Sequence, residues 1–169
     1  MLKGKHVSKL TATYIGENTH LLDQYLAGEL ELEVISQGTL AEKLRSGGAG
    51  IPAFYCKSGL DTHIEHGGFP TLFSKDNRKP LKYGKPKERR TFGSEDYILE
   101  ESIRPDFAFV KGWKSDKMGN IIFKKSARNF NSDCAMAAKV AIVEVEEIVD
   151  TTFLPEEIHL SHIFVQRVV

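Results

Sequence analysis

Glutamate and aliphatic residues alternate one for one from Glu29 through Leu30, Glu31, Leu32 and Glu33 to Val34, followed by Ile35. A period of two collects the aliphatic side chains on one face, so this segment predicts a strand with one buried side. Residues 9–15 hold β-formers in partial alternation and predict an earlier strand, closed by Gly16. Between the two, Asn18 or Thr19 is placed to cap a helix that carries Leu21, Leu22, Tyr25 and Leu26 on one face and ends at Gly28. After the alternating strand, Thr39-Leu40-Ala41-Glu42 has capping-box spacing. It predicts a helix from about Leu40 to Arg45, stopped by Gly47-Gly48.

Residues 56–91 are rich in Gly, Pro, Lys and Arg and lack an apolar period. They predict a long basic excursion with one short hairpin, set inside a single domain that spans residues 1–169. The β signal returns over residues 96–99, 107–113 and 120–123, with a turn at Met118-Gly119-Asn120 between the last two. A brief helix is expected at residues 135–138, followed by an almost continuous apolar strand at 140–145 and a last strand at 163–165. The sum is an α/β fold with an open, mostly parallel sheet and flanking helices. Parallel strands need crossover helices, yet clear helical pairing stops near Gly48, so the domain is expected to lack part of its covering layer.

Composition narrows the class without naming a partner. Hydrophobic residues make up 41% and charged residues 27% of 169 positions, and 23 basic side chains balance 23 acidic ones, as in an ordinary globular domain with one core. No apolar run approaches the roughly 20 residues that span a bilayer. The start, Met1-Leu2-Lys3-Gly4-Lys5-His6, is too poor in Arg and Ser for a targeting peptide. Cys56 and Cys134 lack metal spacing and make no disulfide framework, which favours a reducing interior.

Gln37 is the most chemically suggestive position. It follows the alternating strand and precedes the capped helix, at the carboxyl end of a strand where α/β sheets bind ligands. Its amide can be aimed at a developing oxyanion beside the backbone N–H groups of Gly38 and Thr39; the plainer reading is that it satisfies loop backbone. Gly47, Gly48 and Gly50 form part of a formal G-x-G-x-x-A match, but it follows a helix, and Pro52 holds Ile51 extended. A glycine turn approaching a neighbour or a substrate fits better than a dinucleotide site.

His63 and His66 flank Glu65 three apart, with no further ligand cluster, so a surface loop is expected and no metal site. The eight Lys or Arg residues between Lys75 and Arg90 suit a phosphate, including the phosphoadenosine end of coenzyme A. Only Tyr83 interleaves with them, which weakens a nucleic-acid reading. The cluster from Ser126 to Asn131 suits a turn or a carboxylate contact. Glu144, Glu146, Glu147 and Asp150 offer general-base chemistry or a solvated strand face.

Six stretches in order resemble the succinyl-CoA:3-ketoacid coenzyme A transferase family. They start at Tyr14 (Tyr-Ile-Gly-Glu-Asn), Gly28 (Gly-Glu-Leu-Glu), Gln37 (Gln-Gly-Thr-Leu-Ala-Glu), Gly47 (Gly-Gly-Ala-Gly-Ile-Pro-Ala-Phe-Tyr), Lys125 (Lys-Ser-Ala-Arg-Asn-Phe-Asn) and Val143 (Val-Glu-Val-Glu-Glu-Ile). The resemblance implies a partial N-terminal, A-subunit-like half of NagB/RpiA-like type that begins after the family's first strand–helix units. It also implies transfer of coenzyme A from succinyl-CoA to acetoacetate in ketone-body catabolism, through a glutamate in a Ser-Glu-Asn-Gly motif. That motif is absent from this sequence, so a second half must supply it, and the chain alone is expected to be inactive.

By the same resemblance Gln37 supports the thioester carbonyl, and Gly38, Gly47, Gly48, Gly50 and Tyr55 line the substrate. No cofactor is implied beyond the coenzyme A thioester itself. The expected partners are an acyl-CoA, a 3-oxoacid and a second catalytic half or full-length homologue in a dimer, with no membrane and no nucleic acid. The expected location is the mitochondrial matrix, with the cytoplasm as the alternative. After Tyr55 the family's Thr-Pro-Thr-Gly is replaced by Cys56-Lys57-Ser58-Gly59, a departure in the substrate loop. A non-catalytic assembly protein of the same family is the competing expectation, and a nucleic-acid-binding module a weaker one.

Overall fold

The computed structural model describes all 169 residues, and their contacts cluster into two compact units. The first comprises Met1–Leu40 with Tyr55–Glu100, and the second Ala41–Phe54 with Glu101–Val169. In the first unit β1 (Lys9–Ala12), α1 (Thr19–Leu26) and β2 (Glu31–Val34) make a parallel strand–helix–strand unit, with Leu10 paired to Leu32. Asn18 caps α1 as its sequence suggests, its side-chain oxygen accepting from the Leu21 N–H at 3.2 Å. Leu30 and Leu32 from the alternating segment pack with Leu21 and Tyr25, while Glu31 and Glu33 turn outward to Lys9.

Helix α2 (Gln37–Gly48) is longer at both ends than the pattern predicts. The Leu40 N–H donates to the Ser36 carbonyl at 3.0 Å, and Ser36 Oγ lies 2.6 Å from Thr39 Oγ1. Thr39 is thereby engaged inside the first turn, and Glu42 bonds Arg45 at 2.6 and 2.8 Å, so the expected capping box is not made. Gly47 and Gly48 do not stop the helix; they belong to it. A Cβ on Gly47 would stand 2.0 Å from the Ile103 carbonyl oxygen, and one on Gly48 about 3.0 Å from the Met136 backbone. The stop is Gly50, at φ +76°: its N–H reaches the Gly47 carbonyl, and the Ile51 N–H reaches the Ser46 carbonyl, at 3.2 and 2.9 Å. This bond pair is a Schellman ending, which places a residue with positive φ just past the helix.

The rest of the first unit is more ordered than its composition suggests. After β3 (Ala53–Cys56) come a one-turn helix α3 (His63–His66), a hairpin of β4 (Pro70–Phe73) and β5 (Pro80–Tyr83), then β6 (Arg89–Phe92) and β7 (Glu95–Glu101) in a sheet ordered β3-β7-β6. His63 and His66 thus lie on a helix rather than the expected loop, and His63 is exposed. Phe73 joins the Leu21–Tyr25 core, and charge anchors much of the rest of the segment. Arg89 reaches Asp61, Glu65 and Asp96 at 2.8, 3.2 and 2.7 Å, and Lys87 pairs with the buried Glu100. A hydrophobic-period reading cannot see a segment held this way.

The second unit carries β8 (Phe107–Lys111), β9 (Lys114–Ser115), β10 (Ile121–Ile122), α4 (Asn131–Ala137), β11 (Val140–Glu144), β12 (Glu147–Ile148) and β13 (Arg167–Val168). β13, β11 and β8 form an all-parallel sheet with the apolar β11 at its centre; β10, β9 and β12 form a second. Ala108, Val110, Ala135, Ala141 and Val143 meet in its core with Ile121, Phe123 and Leu160. The last strand is β13, not residues 163–165. There the chain makes a 3-10 turn, His162–Phe164, because the Asn120 side chain takes the His162 N–H at 2.9 Å and leaves Ile163 facing solvent.

The turn between β9 and β10 is built on buried Asp116, whose carboxylate accepts from Met118 N, Asn120 N, Asn120 Nδ2 and Phe153 N at 2.8–3.2 Å. Burial pushes this carboxyl up, but the four donors together outweigh it and hold it below its ordinary value. Asp116→Ala strips all four donors of their acceptor and should cost about 3 kcal/mol, or about 6–12 °C in Tm. A lowered folded-state pKa contributes stability that is present above about pH 4 and lost as pH falls below it. Thermal melts against pH should therefore show Asp116→Asn and the wild type converging below about pH 4. A constant gap down to pH 2 would show that the carboxylate's charge contributes nothing.

Candidate functional site

The carboxyl ends of the parallel pair β1 and β2 converge on the start of α2, and polar side chains collect there. Thr13 follows β1; Ser36 follows β2; Gln37 opens the helix. The Thr13 hydroxyl donates to Gln37 Oε1 at 2.5 Å. With Oε1 engaged, the Nε2 end of the exposed Gln37 amide is the end left to donate to a ligand. Its neighbours are the first-turn N–H groups, which lack intrahelical partners at any helix start and favour negative charge. Gly38 leaves this turn uncovered, since nothing stands within 4 Å of where its Cβ would be.

Behind the turn, buried Thr39 Oγ1 lies 3.9 Å from Cys56 Sγ, which brings β3 to the same place. The arrangement can stabilise an oxyanion, and the nucleophilic side chain beside it is the free Cys56 thiol. Thr13 and Ser36 were missed by sequence reasoning, which met Cys56 as a lone thiol and as the start of the altered substrate loop. Thr13 had a findable signal, because a hydroxyl just past a strand that pairs in parallel lies beside the corresponding position of its neighbour.

The remaining expected site residues fall elsewhere. Gly47 and Gly48 serve helix packing and Gly50 ends the helix, all in the second unit. Tyr55 alternates with Cys56 along β3 and so faces the other way. Its hydroxyl donates to Glu88, a bond that raises its pKa, and its ring meets Phe92 edge-on at 5.0 Å beneath Arg90. Three of the four acids in the run from Glu144 to Asp150 sit in ion pairs: Glu144 with Lys111, Glu147 with Lys114 and Asp150 with Lys117, at 2.6, 2.8 and 2.9 Å. Apart from the half-buried Lys114 these groups are exposed, and such pairs on a solvated face are worth ~0–1 kcal/mol each. In the loop from Ser126 to Asn131, Asn131 ties the turn together, accepting from Lys111 N and donating to the Ala127 carbonyl.

No group of His, Cys, Asp and Glu is placed to hold a metal ion. A cleft of about 370 Å³ in the second unit is lined by Ser115, Asp116, Met118, Ile148 and Val168 among others, but its buried carboxylate is fully engaged in the turn described above. No helix is long and apolar enough to cross a membrane.

Comparison with known proteins gives the family. The one described as Coenzyme A transferase matches residues 1–169. The human protein succinyl-CoA:3-ketoacid coenzyme A transferase 2, mitochondrial, is 49% identical over the whole chain, which covers 33% of it. The A-subunit of the probable succinyl-CoA:3-ketoacid coenzyme A transferase of Bacillus subtilis is 47% identical, again over the whole chain, which covers 63% of it. Among solved structures, glutaconate coenzyme A-transferase from Acidaminococcus fermentans superposes with a TM-score of 0.70 at 20% identity, covering 96% of this chain and 54% of that one. The chain thus spans about a third of the human relative and less than two thirds of the bacterial one. The α/β fold is that of the coenzyme A transferases, and with a family match over its full length and nearly half its residues shared with these relatives, the chain belongs to the coenzyme A transferase family.

Proposed function

We propose that this chain is the A-subunit-type side of a succinyl-CoA:3-ketoacid coenzyme A transferase, with the nucleophilic glutamate supplied by a second half. The observation that carries the reading is the Thr13–Gln37 pair at the uncovered start of α2. In the proposed sequence a glutamate carboxylate of the second half attacks the succinyl-CoA thioester carbonyl. The thiolate of coenzyme A leaves as a mixed anhydride forms. It then attacks the glutamyl carbonyl, releasing succinate and leaving a glutamyl-CoA thioester. Acetoacetate completes the exchange by the same two steps in reverse, and the glutamate is regenerated.

Each attack places negative charge on a carbonyl oxygen, and that charge is what Gln37 Nε2 and the N–H groups of Gly38 and Thr39 are suited to meet. No cofactor is needed beyond the coenzyme A of the substrate. The names of the human and rodent relatives say mitochondrial, and the matrix is the place of action we propose within that organelle.

The deciding experiment mixes the chain with a polypeptide bearing the Ser-Glu-Asn-Gly half and follows acetoacetyl-CoA formation from succinyl-CoA and acetoacetate. Turnover is expected from the mixture and from neither component alone. A folded pair that binds yet transfers nothing would remove the enzymatic reading and leave an assembly role.

A further inference from the structure

The cluster from Ser126 to Asn131 plays no part in the chemistry proposed above, yet it sits where an α/β fold takes ligands. After β10 the chain makes two consecutive tight turns before α4, with Ala127 N donating to the Lys124 carbonyl and Asn131 N to the Arg128 carbonyl at 3.0 and 2.9 Å. Asn131 fastens these turns to Lys111, the last residue of β8, which stands in register with Glu144, the last of β11. The turn therefore lies at the carboxyl ends of a parallel strand pair.

Its charge is not neutralised by the fold. Lys124-Lys125-Ser126-Ala127-Arg128 puts three cations and a hydroxyl on an exposed turn. Nearby lysines do find acids, Lys111, Lys114 and Lys117 each pairing with one, but Lys124, Lys125 and Arg128 have none within ion-pair distance. Arg128 engages its Nε on the Ser132 hydroxyl at 3.1 Å, which leaves the terminal nitrogens of its fork to donate elsewhere. Trp113 shows the imbalance most clearly. Its ring holds two ammonium groups, Lys114 Nζ at 4.8 Å and Lys124 Nζ at 5.1 Å from the centroid. Glu147 neutralises the first at 2.8 Å, and no carboxylate neutralises the second. Two like charges gathered on one ring repel, and an anion beside Lys124 is what would balance them.

The backbone of the turn is also strained. Lys125 and Asn129 have φ of +52° and +28°, where side chains other than glycine are rare. Strain of this kind gathers at ligand clamps, because the surrounding structure must hold it in place. Asn129 supplies that hold, its side-chain oxygen accepting from Phe130 N and from Asn131 Nδ2 at 2.7 and 3.3 Å.

The donor set selects the ligand. One guanidinium satisfies a carboxylate, whereas a guanidinium fork, two ammonium groups and a hydroxyl match the three oxygens and double charge of a phosphoryl group. We propose that the Lys124–Arg128 turn is a phosphate-binding site, in which Arg128 grips two phosphate oxygens, Ser126 donates to the third, and Lys124 and Lys125 supply the balancing charge. The phosphate is a free ion or the phosphoryl group of an organic ester. The proposal rests on the second unit alone and does not depend on the role of Gln37.

Trp113 makes the test direct, because it is the single tryptophan of the chain and Lys124 lies against it. Titration with inorganic phosphate, at an ionic strength held constant with sodium chloride, should give a saturable change in tryptophan fluorescence and a matching calorimetric isotherm. Lys124→Gln and Arg128→Gln should each weaken binding by about tenfold or more. Lys139→Gln should leave it unchanged, since it removes the same charge from a pair with Asp106 at the amino end of β11. Phenyl phosphate is the second arm: the tighter of the two ligands tells an ester from a free ion, and either order supports the site. No saturable response up to about 20 mM phosphate overturns the proposal. So does succinate binding equally well, since the turn would then be a patch that attracts any dianion. Should Arg128→Gln fail to fold, the exposed Lys124→Gln decides by calorimetry, and undiminished binding in that variant counts against the site.

Discussion

In a reconstituted transferase, Gln37→Ala should lower kcat by about 10²–10³-fold while leaving KM for succinyl-CoA within a few-fold, the signature of a donor used mainly in the transition state. The side chain is exposed and contributes little to packing, so the melting temperature should stay near that of the wild type. Thr13 sharpens the test. Its hydroxyl donates to Gln37 Oε1 at 2.5 Å and fixes which end of the amide faces outward.

Thr13→Val removes that donor without changing side-chain shape, and should lower kcat about tenfold by loosening the orientation of the amide. Thr13→Ser should restore most of the loss, which a purely structural role for the threonine methyl would not allow. Steady-state kinetics on the three variants decides the matter. Full turnover in Gln37→Ala would remove Gln37 from the mechanism. Unchanged kinetics in Thr13→Val with a large Gln37→Ala defect would remove only the positioning role.

Gly47→Ala should be among the most destabilising single substitutions in the chain. Alanine is ordinarily the better helix former by about 1 kcal/mol, and Gly47 is helical, so propensity alone predicts a gain. The contact reverses the sign, because the new methyl would stand 2.0 Å from the Ile103 carbonyl oxygen and 2.9 Å from its carbon, neither of which can rotate away. Relief requires α2 to move off the segment around Ile103. That would break the bond from Ile103 N to the Lys43 carbonyl and strain the Ser46–Ser102 hydroxyl pair, held at 2.9 and 2.8 Å.

A cost of about 3 kcal/mol, and about 6–12 °C in Tm, is expected. Gly38→Ala is the contrast: it lies in the same helix with open space around it, so substitution should be neutral or slightly stabilising. Urea titrations of the two variants side by side separate packing from propensity. Equal stability would show that the Gly47 contact relaxes freely.

Local pattern was enough for the elements whose determinants are local. The alternation of residues 29–35 specified β2 and its buried Leu30 and Leu32; Asn18 specified the start of α1; and the apolar run at 140–145 specified the central strand of a parallel sheet. Side-chain period and capping are properties of a few consecutive residues, so the chain carries them openly. The six ordered stretches likewise reached the family, which the full-length match bears out.

What tertiary structure alone decided is everything set by a distant partner. Gly47 and Gly48 read as a stop because glycine is a poor helix former, but Ile103 and Met136 made them packing positions. The charged stretch before β7 read as a long basic excursion with one short hairpin because ion pairs between Arg89 and three separate acids leave no period in the sequence. Gln37 was legible from its place between strand and helix, whereas Thr13 became its partner only when parallel pairing brought the two strand ends together across 24 residues. Contacts between residues far apart in the chain are chosen by the packing of whole elements, and no window of sequence contains both halves of the interaction.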